Sequence, residues 1–261
     1  MTKAKLTVLT DPMPWGRDLF YEGARLVTRW LRDALRPNRH YANHPKYRGH
    51  FAVTRSLVEG LQTIGASFNY NPRYPWQLAN TVVVLAGVRT LRQAIRLKQL
   101  GRIKKLYAGP NIVEFLSDCE SILADPEVDA VITPCDWVVN LYLEDNPTLK
   151  DRIFAWPAGV DTHYWKPDPL IKRDTILIFE KQNKGPVGPV APYVDYLRGL
   201  GWNVQVIQYG SFTHDLYLQM LQQSCLMLGF VVCESQGLAW AEAWSCDIPT
   251  LLWKNTSNLY R

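Results

Sequence analysis

The sequence lacks a long apolar stretch and is poor in cysteine. Its longest apolar run, residues 81–87, is far shorter than the roughly 20 residues that a bilayer-spanning helix needs. The amino terminus lacks the apolar core of a secretory signal peptide. The five cysteines are odd in number and show no C-x2-C pair, so neither a disulfide framework nor a structural zinc site is indicated. We therefore expect a soluble, cytoplasmic protein.

Several ligand-binding motifs are also absent. No G-x-G-x-x-G follows a predicted strand, and no G-x4-G-K-[ST] occurs, which argues against dehydrogenases and Walker-type ATPases. His40, His44 and His50 form the one histidine-rich spacing, but Pro45 interrupts the helix that would align the first two. Their surroundings are basic and would repel a cation, so no metal site is predicted.

What is present is the composition of a folded protein of moderate size. Hydrophobic residues make up 47% of the 261 residues and charged residues 20%. That balance excludes disorder, and the length is enough for about two domains. Short apolar runs alternate with segments of helical period along nearly the whole chain, which is typical of parallel sheets covered by helices.

The predicted fold class is α/β, with two doubly wound parallel-sheet domains. We place the first domain at 1–165 and the second at 166–261, because two prolines interrupt regular structure near the boundary. Strands are predicted at 5–10, 66–70, 81–86, 103–107, 130–133, 153–156, 175–179, 203–207, 225–232 and 249–253. Helices are predicted near 19–35, 50–64, 88–100, 136–144, 190–200, 213–223 and 236–246. Turn residues follow several strands, at 11–16, 108–111 and 157–159, and open α/β sheets bind ligands at those carboxyl ends.

Positive charge is concentrated at the front of the chain. Residues 1–105 hold 19 Lys and Arg against 5 Asp and Glu, whereas residues 106–170 hold 3 against 12. Five arginines recur at the spacing of one helical face beside an apolar face. Either this face is simply solvated, or it contacts phosphate groups peripherally, as at the inner face of an acidic membrane; no specific nucleic acid is expected. The five are Arg25, Arg29, Arg32, Arg36 and Arg39.

The segment richest in candidate chemistry is 233–242, which follows an apolar strand and opens a helix. Glu234 stands at the strand end, Ser235, Gln236 and Gly237 at the helix start, and Glu242 about two turns further on. Free N–H groups at a helix start suit a phosphate, and a carboxylate accepts hydrogen bonds from a sugar diol. The pattern therefore fits a phosphate-linked sugar; alternatively, Glu234 only caps the helix and Glu242 is solvated.

The same segment resembles a family signature. Glu234-x7-Glu242, continued by residues 243–252, is similar to the E-x7-E motif of GT-B glycosyltransferases, in particular retaining family 4. Residues 157–167 (PAGVDTHYWKP) resemble that family's interdomain segment. Residues 181–185 (KQNKG) resemble its donor-phosphate loop, and 209–215 the segment beside the donor base. The resemblance runs in order from about residue 130 to 253.

That resemblance implies transfer of a sugar from a nucleotide diphosphate sugar to an unknown acceptor, a saccharide or a lipid-linked molecule, with retention and without a metal or other cofactor. Glu234 would contact the donor sugar and Glu242 the ribose hydroxyls, while Lys181 and Lys184 would neutralise the departing diphosphate. The other donor contacts implied are Ser235, Gln236, Gly237, Leu238 and Gly210.

The chain departs from the family pattern in three places. Phe179 stands where the family has a phosphate-binding arginine, and no histidine follows the fourth predicted strand. The second domain stops after four predicted strands, so the resemblance implies that it is incomplete. An alternative function is therefore a non-catalytic protein on the same scaffold that binds an anion or a nucleotide and has a basic surface on its first domain.

Overall fold

The computed structural model describes residues 4–11, 50–181, 190–231 and 234–253. The chain divides into two compact units, Met1–Ala158 and Gly159–Arg261. Each unit is built around its own parallel β-sheet.

The described part of unit 1 forms a six-stranded sheet in the order β2-β1-β3-β4-β5-β6, and every neighbouring pair is parallel. Strands β3 (TVVVLA) and β5 (AVIT) are continuous runs of mostly β-branched and aliphatic residues, as is typical of strands buried on both faces. The strands are β1 Leu6–Thr10, β2 Phe68–Tyr70, β3 Thr81–Ala86, β4 Lys105–Asn111, β5 Ala130–Thr133 and β6 Ile153–Ala155.

Helices cover both faces of this sheet. Successive residues of β3 point to opposite faces, so Val84 packs in one apolar cluster and Val83 in another. The helices are α1 His50–Thr63, α2 Val88–Gln99 and α3 Asp136–Asp145, with shorter helical turns at Pro75–Gln77, Asp118–Ser121, Ile122–Ala124 and Pro147–Leu149. Helices α2 and α3 contribute side chains to the cluster of Val84, and α1 contributes to the cluster of Val83.

Unit 2 repeats the plan on a smaller scale. Its described residues form a parallel sheet in the order β10-β9-β7-β8. The elements are β7 Thr175–Lys181, α4 Ala191–Gly199, β8 Asn203–Gln208, α5 His214–Gln222, β9 Ser224–Val231, α6 Leu238–Ser245 and β10 Thr250–Leu252. On one face of the sheet Phe179 packs against α5 and α6, and on the other face Ile178 packs against α4.

The predicted α/β class with parallel sheets is confirmed, and all ten predicted strands are present within a few residues of their expected bounds. The turn predicted at residues 108–111 is wrong, because β4 continues through it to Asn111. Gly109 makes this continuation feasible: its φ is 117°, and a Cβ there would lie 1.9 Å from the carbonyl oxygen of Ile132 on the neighbouring strand. A glycine that reads as a turn signal is here a point of close backbone approach.

Two further expectations concern the helices of the chain. The arginine-rich helix predicted near 19–35 lies outside the described residues. Among the residues that the structure does describe, no helix has the length and apolarity to cross a bilayer.

Candidate functional site

The candidate residues of unit 2 gather at the carboxyl edge of its sheet. Strands β7 and β9 are neighbours, with Lys181 paired in register to Val231. Glu234 comes three residues after that partner, so it reaches the same edge. The Lys181 Nζ donates a hydrogen bond to Glu234 Oε2 at 2.6 Å. The exposed fraction of the side chain is 19% for Lys181 and 26% for Glu234. This is a charge-assisted contact in a partly desolvated place.

A third strand end adds an aromatic ring. Tyr209 directly follows β8, and its N–H donates to the Glu180 carbonyl of β7 at 2.8 Å, which fixes its position along the edge. The Lys181 ammonium lies 4.8 Å from the centroid of the Tyr209 ring. Gly210, with φ of 87°, turns the chain away immediately afterwards. Lys181 is thus held between a carboxylate and a ring.

The start of α6 lies beside this cluster. Gly237 is its N-cap, in the left-handed conformation with φ of 62°, and as a glycine it has no side chain with which to cap the helix. A Cβ on Gly237 would lie 2.8 Å from Trp240 Cδ1 and 3.8 Å from Glu234 Cγ. Glycine is therefore required both by the backbone angle and by the ring of Trp240. Glu234 consequently lies close to the helix start.

Glu242 occupies the second turn of α6 and is half-buried. Burial raises the pKa of its carboxyl from the ordinary value of 4.5 to about 8. Burial raises the pKa of the neighbouring Tyr217, and the charge of ionised Glu242 raises it further. Tyr217 is fully buried, and its hydroxyl donates to the Ala239 carbonyl at 2.8 Å. Near pH 7 the carboxyl of Glu242 is therefore mostly protonated in the unliganded protein.

The structure brings several of the predicted site residues together. Lys181 contacts Glu234 directly, and Glu234 lies against Gly237. Ser235 is exposed, and Gln236 and Leu238 are partly buried on either side of Gly237. Glu242 lies further along α6, toward Tyr217. Lys184 and the five arginines of the predicted basic face lie outside the described residues.

Tyr209 is the residue that sequence reasoning undervalued. We singled out its neighbour Gly210, yet the ring of Tyr209 is what contacts Lys181. The available signal was its position, because the residue after an apolar strand lies at the ligand-binding edge of a parallel sheet.

Two concave regions lie away from these residues. A hollow of about 320 Å³ is formed by β8 and α5, next to Phe212 and Gln219. A larger groove of about 840 Å³ in unit 1 is lined by Arg89, Arg92 and Arg96 of α2. The hollow in unit 2 includes Ser211 and Phe212 of the segment 209–215 that we compared with the part beside the donor base, whereas the groove in unit 1 contains no residue predicted for donor binding. The groove is of mixed charge, because Glu120 and Asp125 also line it and the Arg92 guanidinium donates to Glu120 Oε2 at 3.2 Å.

Comparison with known proteins adds no assignment, since no family model matches the chain and no curated protein is similar to it in sequence. Among the described residues, no group of three or more histidine, cysteine or acidic side chains is arranged to hold a metal ion. The chemistry of the site is thus defined by Lys181, Glu234, Glu242, Tyr209 and the start of α6.

Proposed function

We propose that the chain is a glycosyltransferase of the GT-B type, which binds a nucleotide diphosphate sugar on unit 2 and transfers the sugar to an acceptor on unit 1 with retention. The observation that carries the proposal is the contact of Lys181 with Glu234 beside the start of α6, together with the carboxyl of Glu242 on the same helix, whose pKa is raised by burial. A cation, a helix start and two acidic side chains match the parts of such a donor.

The diphosphate fits the helix start. The first N–H groups of α6 point out of the helix with the positive end of its dipole, and Gly237 lets a ligand approach the backbone. Lys181 supplies the positive charge that compensates the charge building on the leaving diphosphate. The ammonium then exchanges part of its contact with Glu234 for the phosphate oxygens.

The two carboxyls suit hydroxyl groups. Glu234, released in part from Lys181, accepts hydrogen bonds from the donor sugar. Glu242 accepts from the ribose diol, and because hydroxyl donors stabilise the ionised form, binding lowers the pKa of Glu242 from about 8. Nucleotide binding is therefore expected to release a proton at neutral pH.

Isothermal titration of the chain with a panel of nucleotide diphosphate sugars tests this function. One donor should bind, and Glu242→Gln should weaken it by about tenfold or more, since hydrogen bonds to a charged group are lost. Glu144→Gln, a change at an exposed carboxylate on α3, is the matched control and should leave the affinity unchanged. If no donor binds, or if both variants bind equally well, the proposal is wrong.

A non-catalytic nucleotide- or anion-binding protein is the second candidate. It is favoured by the contact that already satisfies Lys181, because a lysine paired with Glu234 has less charge to offer a leaving group. Such a protein should bind the nucleotide diphosphate equally well with and without the sugar. It should also release no sugar from any donor in a transfer or hydrolysis assay.

A further inference from the structure

An open groove runs along helix α2 on the outer side of unit 1. Its volume of about 840 Å³ lies within the range of small-molecule sites. Residues of α2 form one wall, and residues between 119 and 125 form the other. The floor is apolar, because Ile95 and Ile122 belong to the core cluster of Val84. We call it the α2 groove.

The α2 groove extends away from the carboxyl edge of the first sheet. It begins with Arg89 in the first turn of α2 and continues to Gln99, the last residue of that helix. At this far end Lys98 Nζ donates to the Glu127 carbonyl at 2.6 Å, and Glu127 lies shortly before the start of β5. The groove therefore reaches the amino edge of the sheet, opposite the edge at which parallel sheets usually bind ligands.

Three exposed arginines form the cationic side of the groove. Arg89, Arg92 and Arg96 share one face of α2, because residues three and four apart are neighbours on a helix. With a rise of about 1.5 Å per residue, the first and the last are about 10 Å apart along the helix axis. Guanidinium groups bind phosphates and carboxylates through paired N–H donors. This arrangement suits a ligand with more than one anionic group.

One anionic group already lies on this face, and it belongs to the protein itself. Arg92 Nη2 donates to Glu120 Oε2 at 3.2 Å, and the two side chains are 53% and 88% exposed. An ion pair so open to water contributes little to stability. The Glu120 carboxylate thus marks a position at which the groove holds an anion, and a ligand that binds more strongly can replace it there.

The backbone that carries Glu120 is strained. Cys119, Glu120 and Ser121 all have left-handed dihedrals, with φ of 53°, 64° and 53°. Residues with a Cβ rarely adopt this conformation, and here three do so in succession. Strained backbone is concentrated at functional sites such as ligand clamps. Release of Glu120 from Arg92 would let this turn relax, which favours exchange for an external anion.

Competition with Glu120 defines the ligand. A tethered carboxylate has a high effective concentration, so a free compound with a single carboxylate competes poorly. A phosphate group carries more charge and three strong acceptor oxygens. Two or more phosphates on one molecule reach several of the arginines at once. Asp125, the other acidic residue of the lining, stays in its own turn, where its Oδ1 accepts from the Glu127 N–H at 2.8 Å.

We propose that the α2 groove binds a soluble compound with two or more phosphate groups, which displaces Glu120 from Arg92 and contacts the three arginines. The proposal rests on residues of unit 1 alone and is independent of the function proposed above. Because the proposed donor site of unit 2 would also take a diphosphate, variants of the groove must locate the binding.

Isothermal titration of the full chain with tripolyphosphate at about 0.15 M salt tests the proposal, with citrate as a polycarboxylate probe. Tripolyphosphate should bind more tightly than citrate. Arg89→Gln and Arg96→Gln should each weaken its binding about tenfold, the effect of lost hydrogen bonds between charged groups. Arg102→Gln is the matched control, because Arg102 is exposed, carries the same charge and lies outside the lining, so it should leave the affinity unchanged.

Glu120→Gln should change the affinity in the opposite direction. It removes the competing carboxylate and should tighten the binding of tripolyphosphate about threefold, a gain that misfolding would not produce. Glu144→Gln, which removes an exposed carboxylate of α3 outside the groove, should leave it unchanged.

Four results would each overturn the proposal: no binding of tripolyphosphate, binding of citrate as tight as that of tripolyphosphate, equal weakening by Arg96→Gln and Arg102→Gln, or no gain with Glu120→Gln. Vesicles of phosphatidylglycerol supply the remaining arm. If they bind in a manner that depends on Arg96 while tripolyphosphate does not bind, the groove contacts a membrane surface and the proposal is wrong.

Discussion

At the scale of single residues, the carboxyl of Glu242 is only half-buried, yet burial raises its pKa to about 8. It lies on a helix that contacts the buried residue Tyr217, and its charge adds to the effect of burial that raises the pKa of the Cys246 thiol, at the end of the same helix, to about 11. An ionised carboxylate in such surroundings needs a hydrogen-bonding partner. A ribose diol would be one, which links this desolvated acid to the proposed donor.

The raised pKa of Glu242 predicts a pH dependence of stability. Above about pH 4.5 the unfolded chain releases this proton, whereas the folded chain keeps it until about pH 8. The folded state binds more protons in that window, so its free energy of unfolding falls as pH rises. Glu242→Gln removes this contribution. Urea denaturation between pH 5 and 8 should show the unmodified chain losing stability relative to the variant, and parallel curves would contradict the raised pKa.

Threonines of unit 1 allow a second test at this scale. The hydroxyl of Thr90 has no partner in the described chain, so Thr90→Val should leave the free energy of unfolding unchanged or raise it by about 1 kcal/mol. Thr7→Val removes an acceptor from the Ala79 N–H and should cost about 1–3 kcal/mol. Urea denaturation measures both. A loss for Thr90→Val as large as for Thr7→Val would mean that its hydroxyl is already satisfied.

At the scale of helices and strands, close packing between neighbouring backbones restricts β4. A side chain at Gly109 would overlap the Ile132 carbonyl on β5, whereas a Cβ on Gly101, also at positive φ, would meet no described atom within 4 Å. Substitution of either glycine carries a conformational penalty, but only one of the two also meets a neighbouring strand. The pair therefore separates the two effects.

Gly109→Ala should destabilise the protein by about 3 kcal/mol or more, because backbone strain and overlap with β5 add together. Gly101→Ala should cost about 1–2 kcal/mol from its left-handed conformation alone. Thermal or urea unfolding of the two variants measures the difference. Similar losses at the two positions would show that the contact with Ile132 relaxes easily.

The elements were predictable because their signals are local. An apolar run such as 81–86 bounded by polar residues and glycine identifies a buried strand, and the first and last residues of β3 match the prediction. The end of β4 was not predictable, since glycine and proline favour turns and only the neighbouring carbonyl of Ile132 explains why Gly109 stays in the sheet. The candidate site divides in the same way: the apolar run before Glu234 placed it at a strand end and the family resemblance selected Lys181, but their ion pair depends on the register of β7 with β9.

At the scale of the whole molecule, each sheet has its own core on both faces. The two apolar clusters of unit 1 contain only residues of Met1–Ala158, and the two of unit 2 only residues of Gly159–Arg261. The sequence predicted two such sheets from the restart of the strand–helix alternation. The buried hydroxyls of Thr10 and Thr90, which have no hydrogen-bond partner in the described chain, could not be predicted in this way, because they depend on which groups the fold leaves without partners.

Separate cores predict separate loss of stability. Leu106 of β4 and Leu177 of β7 are both fully buried, one in each unit, and truncation of either to alanine should cost about 2–5 kcal/mol through the cavity that it leaves. Hydrogen exchange followed strand by strand should show Leu177→Ala reducing the protection of β7, β8 and β9 while β1, β3 and β4 keep theirs, and Leu106→Ala doing the reverse. If either substitution lowers protection equally in both sheets, the two units unfold as one cooperative body.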